Sequence, residues 1–238
     1  MRRRRGLPIA LALALLLGVS VLPALVGVTT AQDETPAAGS TVETKARVIH
    51  AATNTDPIKV SFDGDPGIDD LAYGQVSDFV DIDPGDVWVD IEEAGLDVTD
   101  YVYSATFPYV PTGNNYQLIL SDDLVQTQLV DISPLGARVA RARLVHSSAE
   151  TPTIDIVATG VDRPLITNVH YPQSTEYFEI PAGTYDLQLV QSGTTTVLLD
   201  LPGTVVDAGT VYDFVVMGTP GDDDHPLQVI TATTPAST

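Results

Sequence analysis

Cysteine is absent from this sequence of 238 residues, and basic residues are scarce. Without cysteine the chain cannot form disulfides, thiolate zinc sites, a cysteine nucleophile or a lipidated N-terminal cysteine. The sequence has only 11 Lys and Arg but 32 Asp and Glu, which gives a net charge of -21. Because nucleic-acid binding requires a clustered basic surface, this charge excludes nucleic acid as a partner. The length allows one large domain or two domains of about 100 residues.

The N-terminus is the one strongly basic segment. Four arginines, Arg2–Arg5, precede an almost unbroken apolar stretch over residues 7–28, and Thr29-Thr30-Ala31 follows. This order predicts a secretory signal peptide over residues 1–31. The apolar stretch also approaches the about 18–20 residues that span a bilayer, so an uncleaved N-terminal anchor is the alternative. In either case we expect the folded part to be secreted, extracellular or in the cell envelope, with no other membrane contact. Removal of the four arginines takes the net charge from -21 to -25.

After a polar spacer (residues 32–44), the sequence repeats itself. Ala46-Arg47-Val48-Ile49-His50 recurs 96 positions later as Ala142-Arg143-Leu144-Val145-His146. Later matches, at an offset of 98 and then again of 96, are Tyr73 with Tyr171, Gln75 with Gln173, Gly113 with Gly209, and Tyr116 with Tyr212. Two compensating shifts within so long a match indicate a tandem duplication. We place the first repeat at 45–134 and the second at 138–238, joined by a segment too short to act as a free linker.

Each repeat has the sequence pattern of β-strands. Short β-branched and aromatic runs alternate with period two and are separated by Gly, Pro, Asp or Asn at a spacing of roughly 8–12 residues. The clearest runs are 47–50, 58–62, 87–91 and 101–103 in the first repeat, and 153–157, 185–190 and 211–216 in the second. The pattern predicts an all-β fold with two tandem immunoglobulin-like β-sandwich domains of about seven strands each. The Gly-x-x-Tyr segments ending at Tyr116 and Tyr212 predict tyrosine corners, in which the phenol bonds the upstream backbone.

The order of the repeated motifs resembles a known family. A basic strand that ends in histidine comes first, followed by proline and an alternating strand. A Tyr-x-Gln segment, a Pro/Gly turn and a Gly-x-x-Tyr segment come after these. This order is similar to an uncharacterised family of secreted bacterial domains that open Arg-Val-x-His-Ala-Ser and often occur in tandem. The resemblance covers residues 45 to about 232. It implies β-sandwiches at or outside the cell surface, and it implies no reaction.

Histidine offers little support for catalysis. His50 and His146 end equivalent strands, and alternation places them on the core side, where we interpret them as buried neutral rings bonded to a neighbouring loop. A ligand-binding or catalytic role is the alternative. His146 and Ser147 are adjacent on a strand and therefore point to opposite faces. The sequence also lacks a Gly-x-Ser-x-Gly motif. We therefore predict no catalytic residues and no enzymatic activity.

Carboxylates are the remaining candidates for a site. Asp63, Asp65, Asp69 and Asp70 lie within eight residues, among glycines that permit a tight loop. Calcium takes six to eight oxygen ligands from such loops, so these four residues form a candidate calcium site. A solvated hairpin turn is the alternative, since the spacing lacks the twelve-residue, helix-flanked calcium pattern.

Two functions are consistent with these features. The first is a non-enzymatic structural, adhesive or surface-binding module that contacts an unknown surface protein or a polysaccharide. The alternative is a calcium-stabilised module that binds a carbohydrate or another ligand.

Overall fold

The computed structural model describes residues 43–55, 57–95, 101–161 and 163–238. The predicted signal peptide and all but the last two residues of the spacer lie outside these ranges. Within them every regular element is a strand, and these ranges contain no candidate for a membrane-spanning helix. The prediction of an all-β fold is confirmed.

In the described residues each repeat contains eight strands, against about seven predicted. The first repeat comprises β1 (Lys45–His50), β2 (Ile58–Phe62), β3 (Asp65–Leu71), β4 (Val80–Asp81), β5 (Gly85–Glu93), β6 (Tyr101–Val110), β7 (Asn115–Leu120) and β8 (Val125–Val130). The second comprises β9 (Val139–His146), β10 (Ile154–Ala158), β11 (Ile166–Val169), β12 (Phe178–Pro181), β13 (Gly183–Gln191), β14 (Val197–Val206), β15 (Thr210–Met217) and β16 (Gln228–Pro235).

The strands of each repeat form two four-stranded sheets in the same order. The first repeat has sheets β4-β1-β7-β8 and β3-β2-β5-β6, and the second has β12-β9-β15-β16 and β11-β10-β13-β14. The central pairs β1–β7 and β9–β15 are parallel, and the other pairs of strands are antiparallel. The two repeats are therefore two β-sandwich-like units with the same topology.

Alternating apolar residues build a core inside each unit. In β5, Val87, Val89 and Ile91 are buried and face β1 and β7 of the other sheet. Burial of each such side chain contributes about 1.5–3 kcal/mol relative to exposure. In the second unit, Leu144 and Leu189 occupy the corresponding core.

The central strands β1 and β9 are buried on both faces, which alternation alone does not predict. One face of β1 packs in its own core, and the other contributes Ile49 to a cluster that also contains Val145, Val215 and Met217 of the second unit. The four sheets are therefore stacked as layers. The sheets with β1 and β9 lie in the middle, and the sheets with β5 and β13 lie outermost.

The tyrosine corner forms in the second repeat. The Tyr212 hydroxyl accepts a hydrogen bond of 2.8 Å from the backbone N–H of Asp207. In the first repeat the position equivalent to Asp207 is Pro111, which has no N–H to donate. The same bond cannot form there, although the preceding turn glycine keeps its left-handed conformation, with φ of 82° at Gly113.

A bulge in strand β6 places a tyrosine in the left-handed region. Tyr109 has φ of 62°, its backbone N–H donates to Asp86 Oδ1 at 2.9 Å, and the residue is 84% exposed. The second repeat has a bulge between the equivalent strands, two residues further along β13, and builds it with glycine: Gly203 has φ of 65°, and its N–H donates to Asp186 Oδ1 at 2.9 Å. An L-residue with a side chain pays roughly 1–2 kcal/mol in this conformation, whereas glycine does not.

Replacing this tyrosine with glycine should therefore stabilise the protein. We expect Tyr109→Gly to raise the free energy of unfolding by about 1 kcal/mol, measured by urea denaturation. Thr106→Gly is the matched control, because Thr106 is also exposed but lies in a regularly paired part of β6, where glycine weakens the sheet. Equal destabilisation by both substitutions would show that the backbone of Tyr109 is not strained.

Candidate functional site

The arginines of the repeated motif meet in the junction, which we define as the surface where β1 and β7 face β9 and β15. Arg47 donates from Nη2 to Asp213 Oδ2 at 3.0 Å, and Arg143 donates from Nε to Asp213 Oδ1. The side chains are almost fully buried, with exposed fractions of 3% for Arg47, 7% for Arg143 and 0% for Asp213. One carboxylate of the second repeat is thus shared by two guanidinium groups, one from each repeat.

Each arginine also has partners within its own repeat. Gln117 Oε1 accepts from Arg47 at 2.9 Å (Nε) and 2.7 Å (Nη2). Phe79 lies 4.9 Å from the Arg47 guanidinium carbon, and Tyr177 lies 4.3 Å from that of Arg143. Phe79 and Tyr177 are equivalent positions of the two repeats, and so are Gln117 and Asp213. The junction is therefore nearly two-fold symmetric, with glutamine in place of the second carboxylate.

At the centre of the junction, as far as the structure describes it, two guanidinium groups contact one carboxylate. Burial lowers the pKa of Arg47, and the neighbouring Asp213 carboxylate opposes this effect. Burial and Asp213 both raise the pKa of Tyr177, whose hydroxyl donates to Asp213 Oδ1 at 2.9 Å. Among the described residues, Nε2 of Gln117 and Nη2 of Arg143 are buried without a hydrogen-bond partner. Asp213 is therefore the single carboxylate that compensates two buried cations.

The tyrosines of the Tyr-x-Gln motif close the two ends of the junction. The Tyr171 hydroxyl of the second repeat donates to the Asp123 carboxylate of the first. Tyr73 of the first repeat makes an edge-to-face contact with His225 of the second, with ring centroids 4.7 Å apart. The arginines and the tyrosines of the repeated motif thus both connect one repeat to the other.

The motif histidines are buried, as interpreted from the sequence. His50 and His146 are both 0% exposed. The His146 ring lies with Nε2 3.2 Å from the Pro152 carbonyl oxygen, while Nδ1 accepts from the Ser148 backbone N–H at 3.4 Å. Burial lowers the pKa of His146, which favours the neutral ring that these two bonds require. The adjacent Ser147 hydroxyl, by contrast, accepts a hydrogen bond of 3.2 Å from Gln126 Nε2 of the first repeat.

The four aspartates of the candidate calcium site lie on different surfaces. Asp63 is in the β2–β3 turn, and its Oδ1 accepts the backbone N–H of Trp88 at 2.8 Å. Asp63 and Asp65 line one surface groove, whereas Asp69 lines another, on the outer face of the sheet. Asp70 is exposed, with φ of 53°. In the ranges that the structure describes, no three His, Cys, Asp or Glu side chains are placed to hold a metal ion. The calcium hypothesis stays a prediction.

The importance of Asp213 is hidden in the sequence. It is one of 25 aspartates, and its equivalent in the first repeat is Gln117, so the internal match does not reveal it. The available signal was Arg47 itself, which alternates with the core residues Ala46 and Val48. An arginine that recurs in both copies of a strand motif, and that is buried in the fold, needs a carboxylate nearby to compensate its charge.

Removing the charge of Asp213 should destabilise the protein strongly. We expect Asp213→Asn to lower the free energy of unfolding by about 3–5 kcal/mol, because it leaves two buried cations without an anion. Asp200→Asn is the matched control on the exposed surface of the same repeat and should change the free energy of unfolding by less than about 0.5 kcal/mol. Gln117→Glu, added to Asp213→Asn, should restore part of the loss. Equal effects of Asp213→Asn and Asp200→Asn, or no recovery in the double variant, would contradict this assignment.

Solved structures show only distant similarity. CBMbc (family CBM26) from Eubacterium rectale Amy13K, solved in complex with maltoheptaose, is 11% identical with a TM-score of 0.27, over 82% of this chain and 98% of that chain. A streptococcal virulence factor described as binding alpha-glucan is 14% identical with a TM-score of 0.26, over 65% and 83%. The Bacillus anthracis TIE protein is 11% identical with a TM-score of 0.24, over 74% and 34%. Scores this low carry no argument about fold or ligand.

Sequence families give a clear assignment. None of the curated proteins matches the chain. Residues 44–157 and 140–238 each match the family model described as "Domain of unknown function (DUF4397)". These two segments include all sixteen strands. The chain therefore belongs to the DUF4397 family, and carries two copies of its domain.

Proposed function

We propose that this protein is a non-enzymatic surface-binding module that acts outside the cytoplasm, with its two repeats held as one rigid body. The observation that carries the proposal is the junction. Its motif residues Arg47 and Arg143 are buried and bonded to Asp213, so they are occupied in joining the repeats. A reactive or ligand-binding role would need these groups to be accessible.

The motif histidine has a structural environment as well. Both ring nitrogens of His146 contact backbone groups, and the ring is inaccessible to solvent. A general base needs hydrogen-bond reach to a substrate proton, which a fully buried ring bonded on both sides does not offer. The neighbouring Ser147 is also buried and is bonded to Gln126. These contacts favour a binding or structural role over hydrolysis.

The stacking of the layers supports a rigid binding body. Interfaces between domains permit motion by default unless they are large and hydrophobic. Here Ile49, Ile119, Val145, Val215 and Met217 are all 0% exposed and form an apolar cluster beside the arginines. Fixed repeats present their outermost sheets as two surfaces of constant geometry. A surface protein or a polysaccharide is the partner class that we propose for these faces.

Export and binding can be tested on the same chain. Expressed at full length in its source organism, the protein should appear in the medium or the envelope with a new N-terminus at Gln32. The exported protein should then sediment with isolated envelopes, whereas an equally acidic carrier protein should not. Binding that survives protease treatment of the envelopes would indicate a polysaccharide partner, and loss of binding a protein partner. A cytoplasmic product, or an exported protein that stays in the supernatant, would contradict the proposal.

A further inference from the structure

The outer face of sheet β3-β2-β5-β6 exposes the only tryptophan of the chain. Trp88 lies in β5 between the buried residues Val87 and Val89, so its side chain points away from the core. It is 47% exposed and lies opposite Thr106 of β6. A half-exposed indole on a sheet presents a broad apolar surface to a ligand.

Hydrogen bonds hold the Trp88 ring against the sheet. Its Nε1–H donates to Asp90 Oδ1 at 2.7 Å, and the Ser104 hydroxyl donates to the same oxygen at 2.6 Å. Because both donors use Oδ1, the other carboxylate oxygen, Oδ2, can accept from a ligand hydroxyl. The indole and the carboxylate are therefore positioned together before any ligand arrives, which reduces the entropy lost on binding.

A polar groove of about 170 Å³ begins at Asp90. It runs over strands β5, β2 and β3, and its polar lining includes Lys59, Ser61, Asp69, Asp90 and Glu92. Lys59 Nζ lies 2.7 Å from Glu92 Oε2. The groove thus offers several hydrogen-bonding groups, both positively and negatively charged, beside the aromatic surface of Trp88.

The second repeat shows which of these features belong to the fold. Its equivalent of the Asp90–Ser104 pair is Gln188 and Asp200, which also bond across the two strands, at 2.7 Å. The equivalent of Trp88 is Asp186, which instead bonds the Gly203 backbone. The cross-strand bond is therefore common to both repeats, whereas the aromatic residue is specific to the first.

We propose that this face, which we call the Trp88 face, binds a neutral polysaccharide. The apolar C–H side of one sugar ring stacks on Trp88. Hydroxyl groups of the same polysaccharide donate hydrogen bonds to Asp90 and Asp69 along the groove. This inference rests on the proposed function and specifies its ligand class and its site. It assigns the binding to the first repeat alone.

Charge and chemistry favour this ligand over others. A net charge of -21, with carboxylates lining the groove, repels anionic polymers. A protein partner requires a larger apolar centre than one indole surrounded by carboxylates, serine and a paired lysine. A neutral chain of sugars has both an apolar ring face and many hydroxyl groups, and these complement the indole and the polar groove.

The single tryptophan makes the site directly observable. Dextran, mannan and xyloglucan should each be titrated into the exported protein while its tryptophan fluorescence is recorded. At least one of them should shift the emission of Trp88 to saturation, since no other tryptophan contributes. In affinity gel electrophoresis with that polymer, Trp88→Ala should weaken retardation about tenfold or more. Leu129→Ala is the matched control, because Leu129 is 49% exposed but lies on the other sheet of the repeat.

The outcomes separate this inference from the proposed function. Equal retardation of Trp88→Ala and the parent, or no fluorescence change with any neutral polymer, overturns the assignment. A response only to polylysine, abolished by salt, also overturns it in favour of a cationic ligand. If Trp88→Ala still sediments with envelopes as the parent does, the assignment of the binding site to the Trp88 face is wrong, and the proposed function stands. If neither protein sediments, the proposed function itself fails.

Discussion

One carboxylate, that of Asp213, lies between two buried guanidinium groups, and the arrangement of the repeats depends on it. Burial of an ion pair contributes little net stability, but a buried charge that loses its partner is very unfavourable. The pair therefore acts mainly on specificity: the two repeats are stable together only when Arg47 reaches Asp213. Two first repeats facing each other would bring together two Arg47 side chains and no carboxylate, since Gln117 occupies the equivalent place. The asymmetry disfavours that pairing between chains.

The same constraint assigns different roles to the two kinds of sheet. The inner sheets use their arginines, tyrosines and apolar side chains to hold the repeats together, so the most recognisable motif residues are inaccessible. The outer sheets can vary without disturbing the junction. The first repeat has Trp88 on its outer sheet, and the second has Asp186 at the equivalent position. A duplicated domain can in this way keep one copy as support while the other acquires a binding surface.

The sequence predicted the elements that depend on local patterns and missed those that depend on distant partners. Period-two alternation and turn residues located seven of the sixteen described strands, and the Gly-x-x-Tyr pattern located the tyrosine corner of Tyr212. The tyrosine corner predicted at Tyr116 of the first repeat was wrong, because Pro111 has no backbone N–H to donate to the phenol. The junction could not be predicted, since Arg47 and Asp213 are 166 residues apart and alternation assigned only one face of β1 to a core. Trp88 could have been found, because the alternation of Val87 and Val89 already directs it outward.

The central claim is that the junction makes the two repeats one cooperative unit. Differential scanning calorimetry of the exported chain tests it most directly. We expect a single transition in which the calorimetric enthalpy equals the van't Hoff enthalpy, because neither repeat can unfold without exposing the other's buried arginine and apolar surface. Two separate transitions, or a calorimetric enthalpy about twice the van't Hoff value, would show that the repeats unfold independently and would contradict the claim.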